Sequence, residues 1–128
     1  IRKKYICRKQ IKKGISGTRD LLRLYKNGYS IALMIDQRVS EGIKSNFFNF
    51  PASTTTIPAQ LIKKFKCRVV PIYIERVNKI DFKMKVNPPI TFDNSPTIEK
   101  ITANLNKWLE DNILQNPDQW IWTHDRWK

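Results

Sequence analysis

The spacing of apolar residues along the chain predicts three helices. The first lies between a glycine-containing turn at residues 13–20 and Gly28, and its apolar side chains recur three and four positions apart. The second begins in the threonine run at residues 54–56, where hydroxyl groups and a nearby proline suit a helix start. The third begins at Ser95 and ends before Pro117.

The remaining apolar stretches predict strands. Residues 31–35 form a continuous apolar run, which is typical of a strand buried on both faces of a parallel sheet. Residues 67–76 form a second apolar strand, and residues 81–87 alternate between apolar and lysine, which predicts a half-exposed antiparallel partner. A short edge strand is expected at residues 5–8. Together these elements predict an α/β fold, a mixed and mainly parallel sheet flanked by helices, in one domain over residues 1–128.

The segment after the first predicted strand is the best candidate for a binding crevice. Asp36 and Gln37 directly follow the buried run, and open α/β sheets bind ligands at the carboxyl ends of their strands. Three phenylalanines within residues 47–50 are either a core plug or an apolar lip for a long-chain ligand. Thr54 and Thr55 then place hydroxyl groups at the start of a helix.

The composition of the chain predicts that its partner is anionic. The 24 Lys and Arg residues outnumber the 11 Asp and Glu residues, so the formal charge is +13. Such a charge favours nucleic acid, a phosphorylated lipid surface or an acidic protein as partner, and a merely basic soluble surface is the alternative. Apolar residues make up 41% of the chain and charged residues 27%, which is typical of a folded domain.

Few residues are available for metal or nucleophilic chemistry. Two cysteines and one histidine make neither a disulfide framework nor a metal site. His124 and Asp125 are adjacent, and neighbouring residues of a helix or strand do not face each other. No serine or cysteine lies in a nucleophile-elbow motif, no signal peptide is recognised, and no apolar run reaches the roughly 18 residues of a membrane span. The residues alone therefore predict no complete active site.

Short motifs follow one another in a particular order through nearly the whole chain. In sequence they are Lys13-Gly14-x-x-Gly17-Thr18-Arg19, Met34-Ile35-Asp36-Gln37-Arg38, Phe47-Phe48-x-x-Pro51-Ala52, Thr54-Thr55, Val69-Val70-Pro71, Asn87-Pro88-Pro89 and Pro117-x-Gln119-Trp120-x-Trp122-x-His124-x-Arg126-Trp127. This series resembles the carboxyl-terminal half of bacterial lipid A biosynthesis acyltransferases of the lauroyl or myristoyl type. Two positions depart from the family, which commonly has proline at Lys12 and often has arginine at Asp125.

The resemblance implies an activity and a set of partners. Such enzymes transfer a fatty acyl group from acyl carrier protein to a hydroxyl of a phosphorylated glucosamine lipid, at the cytoplasmic face of the bacterial inner membrane. The implied partners are therefore acyl carrier protein, that lipid and the membrane surface, with no nucleic acid and no cofactor besides the acyl donor. The residues that the resemblance assigns to substrate contact are Lys13, Arg19, Asp36, Gln37, Thr54 and Thr55.

The family's catalytic motif is absent from the chain. That motif is a histidine followed, after four residues, by aspartate or glutamate; the histidine removes the hydroxyl proton and the carboxylate orients it. In the family it lies upstream of the matched motifs, and His124 belongs instead to the terminal motif. We therefore expect the chain to be the carboxyl-terminal portion of a longer acyltransferase, inactive by itself. The alternatives are a basic nucleic-acid-binding module, in which aromatic side chains stack on bases, and a non-functional gene remnant.

Overall fold

The structure is a computed structural model that describes residues 1–11, 15–92 and 96–128. The chain divides into two compact units, Ile1–Leu33 and Met34–Lys128. Both helices and strands are present, as the α/β prediction requires. Among the described residues, no helix is long and apolar enough to cross a membrane.

In the part of the first unit that the structure describes, the helices are α1 (Arg2–Tyr5) and α2 (Ile15–Lys26). The prediction of a helix ending near Gly28 is confirmed: Gly28 has φ +83°, and the amide of Tyr29 bonds back to the carbonyl oxygen of Leu24 at 3.1 Å. The edge strand predicted at residues 5–8 is wrong. The amides of Lys4 and Tyr5 bond to the carbonyl oxygen of Ile1 at 3.0 Å, and this local turn satisfies the backbone without a neighbouring strand.

The buried parallel strand predicted at residues 31–35 is also wrong. This segment has no regular secondary structure, and the side chains of Leu33 and Met34 are exposed. A strand of this kind needs hydrogen-bonded neighbours and a covering layer on each face, and no described strand pairs with it. Ile35 alone packs against a core cluster.

The strands described in the second unit form two separate two-stranded sheets, both antiparallel. The first hairpin pairs β1 (Ile43–Phe47) with β2 (Phe50–Thr54), and the second pairs β3 (Ile72–Arg76) with β4 (Phe82–Val86). The antiparallel pairing of the second hairpin was predicted, whereas the mainly parallel sheet was not correct. Each pair is joined by a short turn, and parallel strands would need a long crossover connection.

The two remaining helices match their sequence periodicity. Helix α3 spans Ile57–Phe65 and helix α4 spans Ile98–Ile113, followed by a 3₁₀ turn at Pro117–Gln119. Helix α4 is capped by Thr97, whose side chain accepts a hydrogen bond from the amide of Lys100 at 3.2 Å. The cap predicted at Ser95 lies outside the described residues.

Helix α4 contributes to both apolar clusters of the second unit. The first cluster joins it to the first hairpin, and Trp120 and Trp127 of the carboxyl-terminal segment pack against it; its buried members are Phe47, Ala52, Leu109 and Ile113. The second cluster joins it to α3, and its buried members are Ala59, Ile62, Ile101 and Leu105. The plug interpretation of the phenylalanine group is confirmed for Phe47, which is fully buried, while Phe50 is exposed.

Candidate functional site

A buried polar cluster adjoins the first hairpin and contains, among the described residues, the largest fully enclosed side chain. Arg126, near the end of the chain, is 0% exposed. An arginine is rarely buried without partners, because a charged group loses its hydration. We name its surroundings the Arg126 cluster, which consists of Arg126, Asp36, Gln37, Thr54 and Asn106.

Three acceptors surround the guanidinium of Arg126. One terminal nitrogen donates to the backbone carbonyl oxygen of Gln37 at 2.6 Å. The other donates to Oδ1 of Asn106 at 3.2 Å and, at the longer distance of 3.5 Å, to Oγ1 of Thr54. The guanidinium also lies 4.9 Å from the centre of the Phe47 ring, a cation–π contact in a desolvated setting. Arg126 thereby connects the end of the chain to the segment that contains Asp36 and Gln37.

Asn106 extends the cluster from α4 to the first hairpin. Its Nδ2 donates to the carbonyl oxygen of Asn46 at 3.0 Å and to Oγ1 of Thr54 at 3.3 Å. The hydroxyl of Thr54 in turn donates to the carbonyl oxygen of Ala52 at 3.1 Å. Asn106 and Thr54 are both buried, so these bonds satisfy groups that water does not reach. The hydroxyl of Thr54 therefore acts both as donor and as acceptor within the cluster.

Asp36 acts on the cluster through its charge. Burial lowers the pKa of the Arg126 guanidinium, and the negative charge of Asp36 opposes that shift. No ion pair joins the two side chains among those the structure describes, so the interaction is electrostatic at longer range. Oδ1 of Asp36 is buried and finds no hydrogen-bond partner in the described part of the chain, and the same holds for Nε of Arg126. The cluster therefore contains two opposite charges, and each of the two charged side chains has one buried polar atom without a hydrogen-bond partner among the described residues.

Two further hydrogen bonds join the end of the chain to earlier segments of the second unit. Nε2 of His124 accepts a hydrogen bond from the backbone amide of Arg38 at 3.2 Å, and Nε1 of Trp127 donates to the carbonyl oxygen of Phe47 at 2.9 Å. The bonded nitrogen of His124 is therefore engaged with the backbone next to Gln37. Together these bonds position the last residues of the chain against the backbone of Arg38 and Phe47.

The structure brings together part of the set assigned to substrate contact. Asp36, Gln37 and Thr54 belong to the Arg126 cluster, whereas Thr55 accepts a hydrogen bond from the amide of Ile57 at 3.3 Å at the start of α3. Arg19 lies exposed on α2 in the first unit. Lys13 lies outside the described residues.

Two members of the cluster, Asn106 and Arg126, were not predicted from the sequence. A signal for Asn106 was present, because it lies one helical turn from Thr102 and next to Leu105, at a position where α4 faces inward. A polar residue on a buried helix face needs an internal partner. Arg126 gives no such signal, since the tail has no periodicity that separates a buried arginine from an exposed one.

The comparison with protein families agrees with the order of the sequence motifs. The family model described as "Bacterial lipid A biosynthesis acyltransferase" matches residues 5–128. The chain belongs to this family. A comparison with curated proteins finds no match. The family is one of acyltransferases, whose substrates in general are an acyl donor and a lipid A precursor.

Proposed function

We propose that this chain forms the substrate-contacting, carboxyl-terminal portion of an enzyme that transfers a fatty acyl group from acyl carrier protein to a hydroxyl of a phosphorylated glucosamine lipid. The reaction would take place at the cytoplasmic face of the bacterial inner membrane. The observation that carries the proposal is the family match over residues 5–128. The +13 charge supports it, because acyl carrier protein, lipid phosphates and the membrane surface are all anionic.

The Arg126 cluster supports a place for Asp36 and Gln37 beside the reacting groups. Arg126 binds the carbonyl oxygen of Gln37 at 2.6 Å, which fixes the backbone directly after Asp36. Rigid support of this kind is what a binding site needs, since small misplacements cost large factors in rate. In this proposal Asp36 and Gln37 approach the substrate, Lys13 and Arg19 contact its anionic groups, and Thr54 and Thr55 shape the backbone between the first hairpin and α3.

We further propose that the 128 residues do not catalyse transfer by themselves. Their one histidine, His124, has its Nε2 hydrogen-bonded to the amide of Arg38. A general base must be free to take the hydroxyl proton. The base would come from a region bearing the family's histidine motif.

The test compares acyl transfer by the 128-residue chain with transfer by the same chain joined to an amino-terminal region that carries the histidine motif. Labelled acyl groups on acyl carrier protein are the donor, and a phosphorylated glucosamine lipid is the acceptor. We expect turnover in the longer protein only, and none when its motif histidine is replaced by alanine. Absence of turnover in the longer protein would contradict the acyltransferase proposal, while turnover by the 128 residues alone would contradict their inactivity.

The role of Arg19 is tested with a matched pair of substitutions on α2. Arg23 bonds to Asp20 at 3.0 Å on the helix surface, whereas Arg19 is exposed near the helix start, where it can meet an anion. We expect Arg19→Ala to lower kcat/KM in the longer protein about tenfold or more, the size of a lost hydrogen bond to a charged group. Arg23→Ala should change it less than about twofold. Equal effects of the two substitutions on kcat/KM would contradict the proposal that Arg19 contacts the substrate.

A further inference from the structure

The peptide group between Gln37 and Arg38 is hydrogen-bonded at both of its polar groups by the end of the chain. Its carbonyl oxygen, which belongs to Gln37, accepts a bond from a terminal nitrogen of Arg126 at 2.6 Å. Its N–H, which belongs to Arg38, donates to Nε2 of His124 at 3.2 Å. One short segment of the terminal motif therefore satisfies both polar groups of a single peptide. We name the side chains of His124 and Arg126 the peptide clamp.

The peptide clamp fixes the orientation of the peptide plane. The Gln37–Arg38 peptide is trans, and in a planar trans peptide the carbonyl and the N–H point to opposite sides of the chain. Arg126 and His124 therefore approach it from opposite sides, and a rotation of the plane would break at least one of the two bonds. Because the plane limits the backbone rotation at Gln37, the clamp also sets the direction of the residue before it, Asp36.

The hydrogen bond from Arg38 defines the state of the His124 side chain. A backbone amide can only donate, so Nε2 of His124 offers its lone pair, and the proton of the neutral imidazole is on Nδ1. Arginine, in contrast, has donors only. The two side chains of the clamp therefore match the two groups of the peptide, one as acceptor and one as donor.

The peptide clamp is attached to helix α4 and to the first hairpin. Arg126 is fully buried, and its other terminal nitrogen donates to Oδ1 of Asn106 on α4 at 3.2 Å. The next residue, Trp127, donates from its indole nitrogen to the carbonyl oxygen of Phe47 at 2.9 Å. The clamped peptide therefore takes its position from two well-packed elements rather than from its own neighbours in the sequence.

The chain after the clamped peptide is held as well. A side-chain carbon at Gly42 would overlap the backbone carbonyl group of Thr54, so the chain passes directly against β2 before β1 begins. Residues 37–42 are thus fixed at each end by distant parts of the chain. At the clamped end the side chain of Gln37 is exposed, and Oδ1 of Asp36 is buried.

We propose that His124 and Arg126 are positioning residues of the transfer reaction. By holding the clamped peptide from both sides they orient Asp36 and Gln37 toward the substrate, and they do not contact it themselves. The inference rests on the proposed function, since acyl transfer is the reaction that Asp36 and Gln37 would serve. It assigns a role to the part of the terminal motif that contains His124 and Arg126.

Substitutions of His124 test this role in the longer protein, because the side chain is exposed and its replacement leaves no cavity. We expect His124→Leu, which offers no acceptor, to lower kcat about tenfold or more and to change KM less than about twofold, since misplaced groups lower the rate of the chemical step. His124→Gln offers an amide oxygen to the same N–H and should keep kcat within about threefold of the unsubstituted enzyme. Unchanged kcat in His124→Leu, or equal losses in both variants, would overturn the proposal.

Gln119 provides the matched control, since its side chain also holds a backbone segment by hydrogen bonds. It donates to the carbonyl oxygen of Arg76 at 2.9 Å and accepts from the amide of Arg76 at 2.8 Å, on the second hairpin. Gln119→Leu removes both of these bonds and should change kcat less than about twofold, because they do not hold the clamped peptide. A loss of kcat equal to that of His124→Leu would mean that any loosening of the carboxyl-terminal segment lowers activity, and would contradict the proposal.

Substitutions of Arg126 test whether both side chains act through the same peptide. Arg126→Lys keeps a charged donor and Arg126→Met keeps none, so kcat should fall further in the methionine variant. In the presence of His124→Leu, Arg126→Met should lower kcat by a smaller factor than it does alone, because the two side chains orient one group. Losses that multiply would contradict a shared action. Circular dichroism and thermal unfolding of each variant check that the assay temperature lies below its unfolding transition.

Amide hydrogen exchange at Arg38 separates this inference from the proposed function. In the 128-residue chain, His124→Leu should accelerate exchange of the Arg38 amide about threefold or more and leave that of Phe48, which bonds to Glu110, unchanged. Unchanged exchange at Arg38 would refute the clamp whether or not transfer occurs. Faster exchange with unaltered kcat would refute the positioning role alone, whereas absence of transfer by the unsubstituted longer protein would refute the proposed function.

Discussion

The two β-hairpins of the second unit have strands of equal length and differ in what covers them. In the first hairpin, Phe47 and Ala52 are fully buried. In the second, the apolar side chains of β3 and β4 that share one face are all more than half exposed; they are Ile72, Ile74, Phe82, Met84 and Val86. An isolated two-stranded hairpin is marginal in water, so we expect the covered first hairpin to be the more stable of the two.

The covering of the first hairpin comes from two parts of the chain. Helix α4 packs against it and supplies Asn106, and the end of the chain supplies Arg126 and Trp127. The second hairpin is held at an edge. Gln119 donates to the carbonyl oxygen of Arg76 at 2.9 Å and accepts from its amide at 2.8 Å. These bonds fix the position of β3 without removing its apolar face from water.

The turns of the two hairpins differ as well. Phe48 and Asn49 of the first have φ angles of 52° and 65°, and positive φ at both central residues defines the turn type that matches strand twist. Phenylalanine rarely adopts this conformation. It is held because the amide of Phe48 donates to Oε1 of Glu110 at 2.7 Å and its ring meets the Phe47 ring at 4.9 Å. Tertiary contacts therefore stabilise a turn that local preference would not select.

The largest expected effect follows from replacing one aromatic residue in each hairpin. Phe47→Ala should lower the free energy of unfolding by about 3–5 kcal/mol, because it opens a cavity in the first core cluster. Phe82→Ala removes a ring that is 58% exposed and should cost less than about 1 kcal/mol. Urea denaturation followed by fluorescence measures both values. Similar losses for the two variants would mean that the second hairpin is covered in solution.

The second prediction compares the stability effects of replacing Arg126, which packs against the first hairpin, and Arg76, which belongs to the second. Arg126→Met leaves the carbonyl oxygen of Gln37 and Oδ1 of Asn106 without a donor, and should cost about 2–3 kcal/mol. Arg76 lies on the exposed face with its guanidinium 4.4 Å from the Phe82 ring. Arg76→Met should cost less than about 1 kcal/mol. Thermal unfolding compares the pair, and a neutral Arg126→Met would show that the cluster contributes little to stability.

A smaller effect is expected at the turn of the first hairpin. Glu110→Ala removes the acceptor for the amide of Phe48 and should cost about 1–2 kcal/mol. The control is its neighbour on α4, Asp111→Ala, which breaks only an exposed ion pair with Lys107 at 2.8 Å and should cost less than about 1 kcal/mol. The two variants are compared by urea denaturation, and amide hydrogen exchange at Phe48 should accelerate in the first alone. An unchanged exchange rate at Phe48 in Glu110→Ala would show that the bond between the Phe48 amide and Glu110 does not stabilise the turn.

The helices were predictable because their signal is local. Apolar residues three and four positions apart, with a glycine, proline or threonine at the ends, define α2, α3 and α4 to within a few residues. The strands were less predictable. The alternation at residues 81–87 identified β4, whereas β1 begins within a polar loop and is held by pairing to β2. An apolar run such as residues 31–35 specifies burial but supplies no partner strand.

Part of the candidate site was predicted, because the signal for Asp36 and Gln37 is also local in the sequence. Asp36 and Gln37 stood out as polar residues directly after an apolar run, and the structure includes them in the Arg126 cluster. The strand predicted at residues 31–35 is absent. Asp36 and Gln37 were therefore identified correctly from the change from apolar to polar residues, although the secondary structure assigned to the apolar run was wrong. Asn106 and Arg126 were missed because their partners lie 52 and 72 positions away at Thr54.

The sequence by itself determined helices α2, α3 and α4, the family and the net charge of +13, because each of these depends on residues that are close together, on an ordered set of motifs or on simple counts. Only the tertiary structure decided which hairpin is covered and that Arg126 is buried among Gln37, Thr54 and Asn106. Burial and hydrogen-bond satisfaction are properties of groups brought together from distant parts of the chain. The spacing of residues along one strand or one tail does not contain that information.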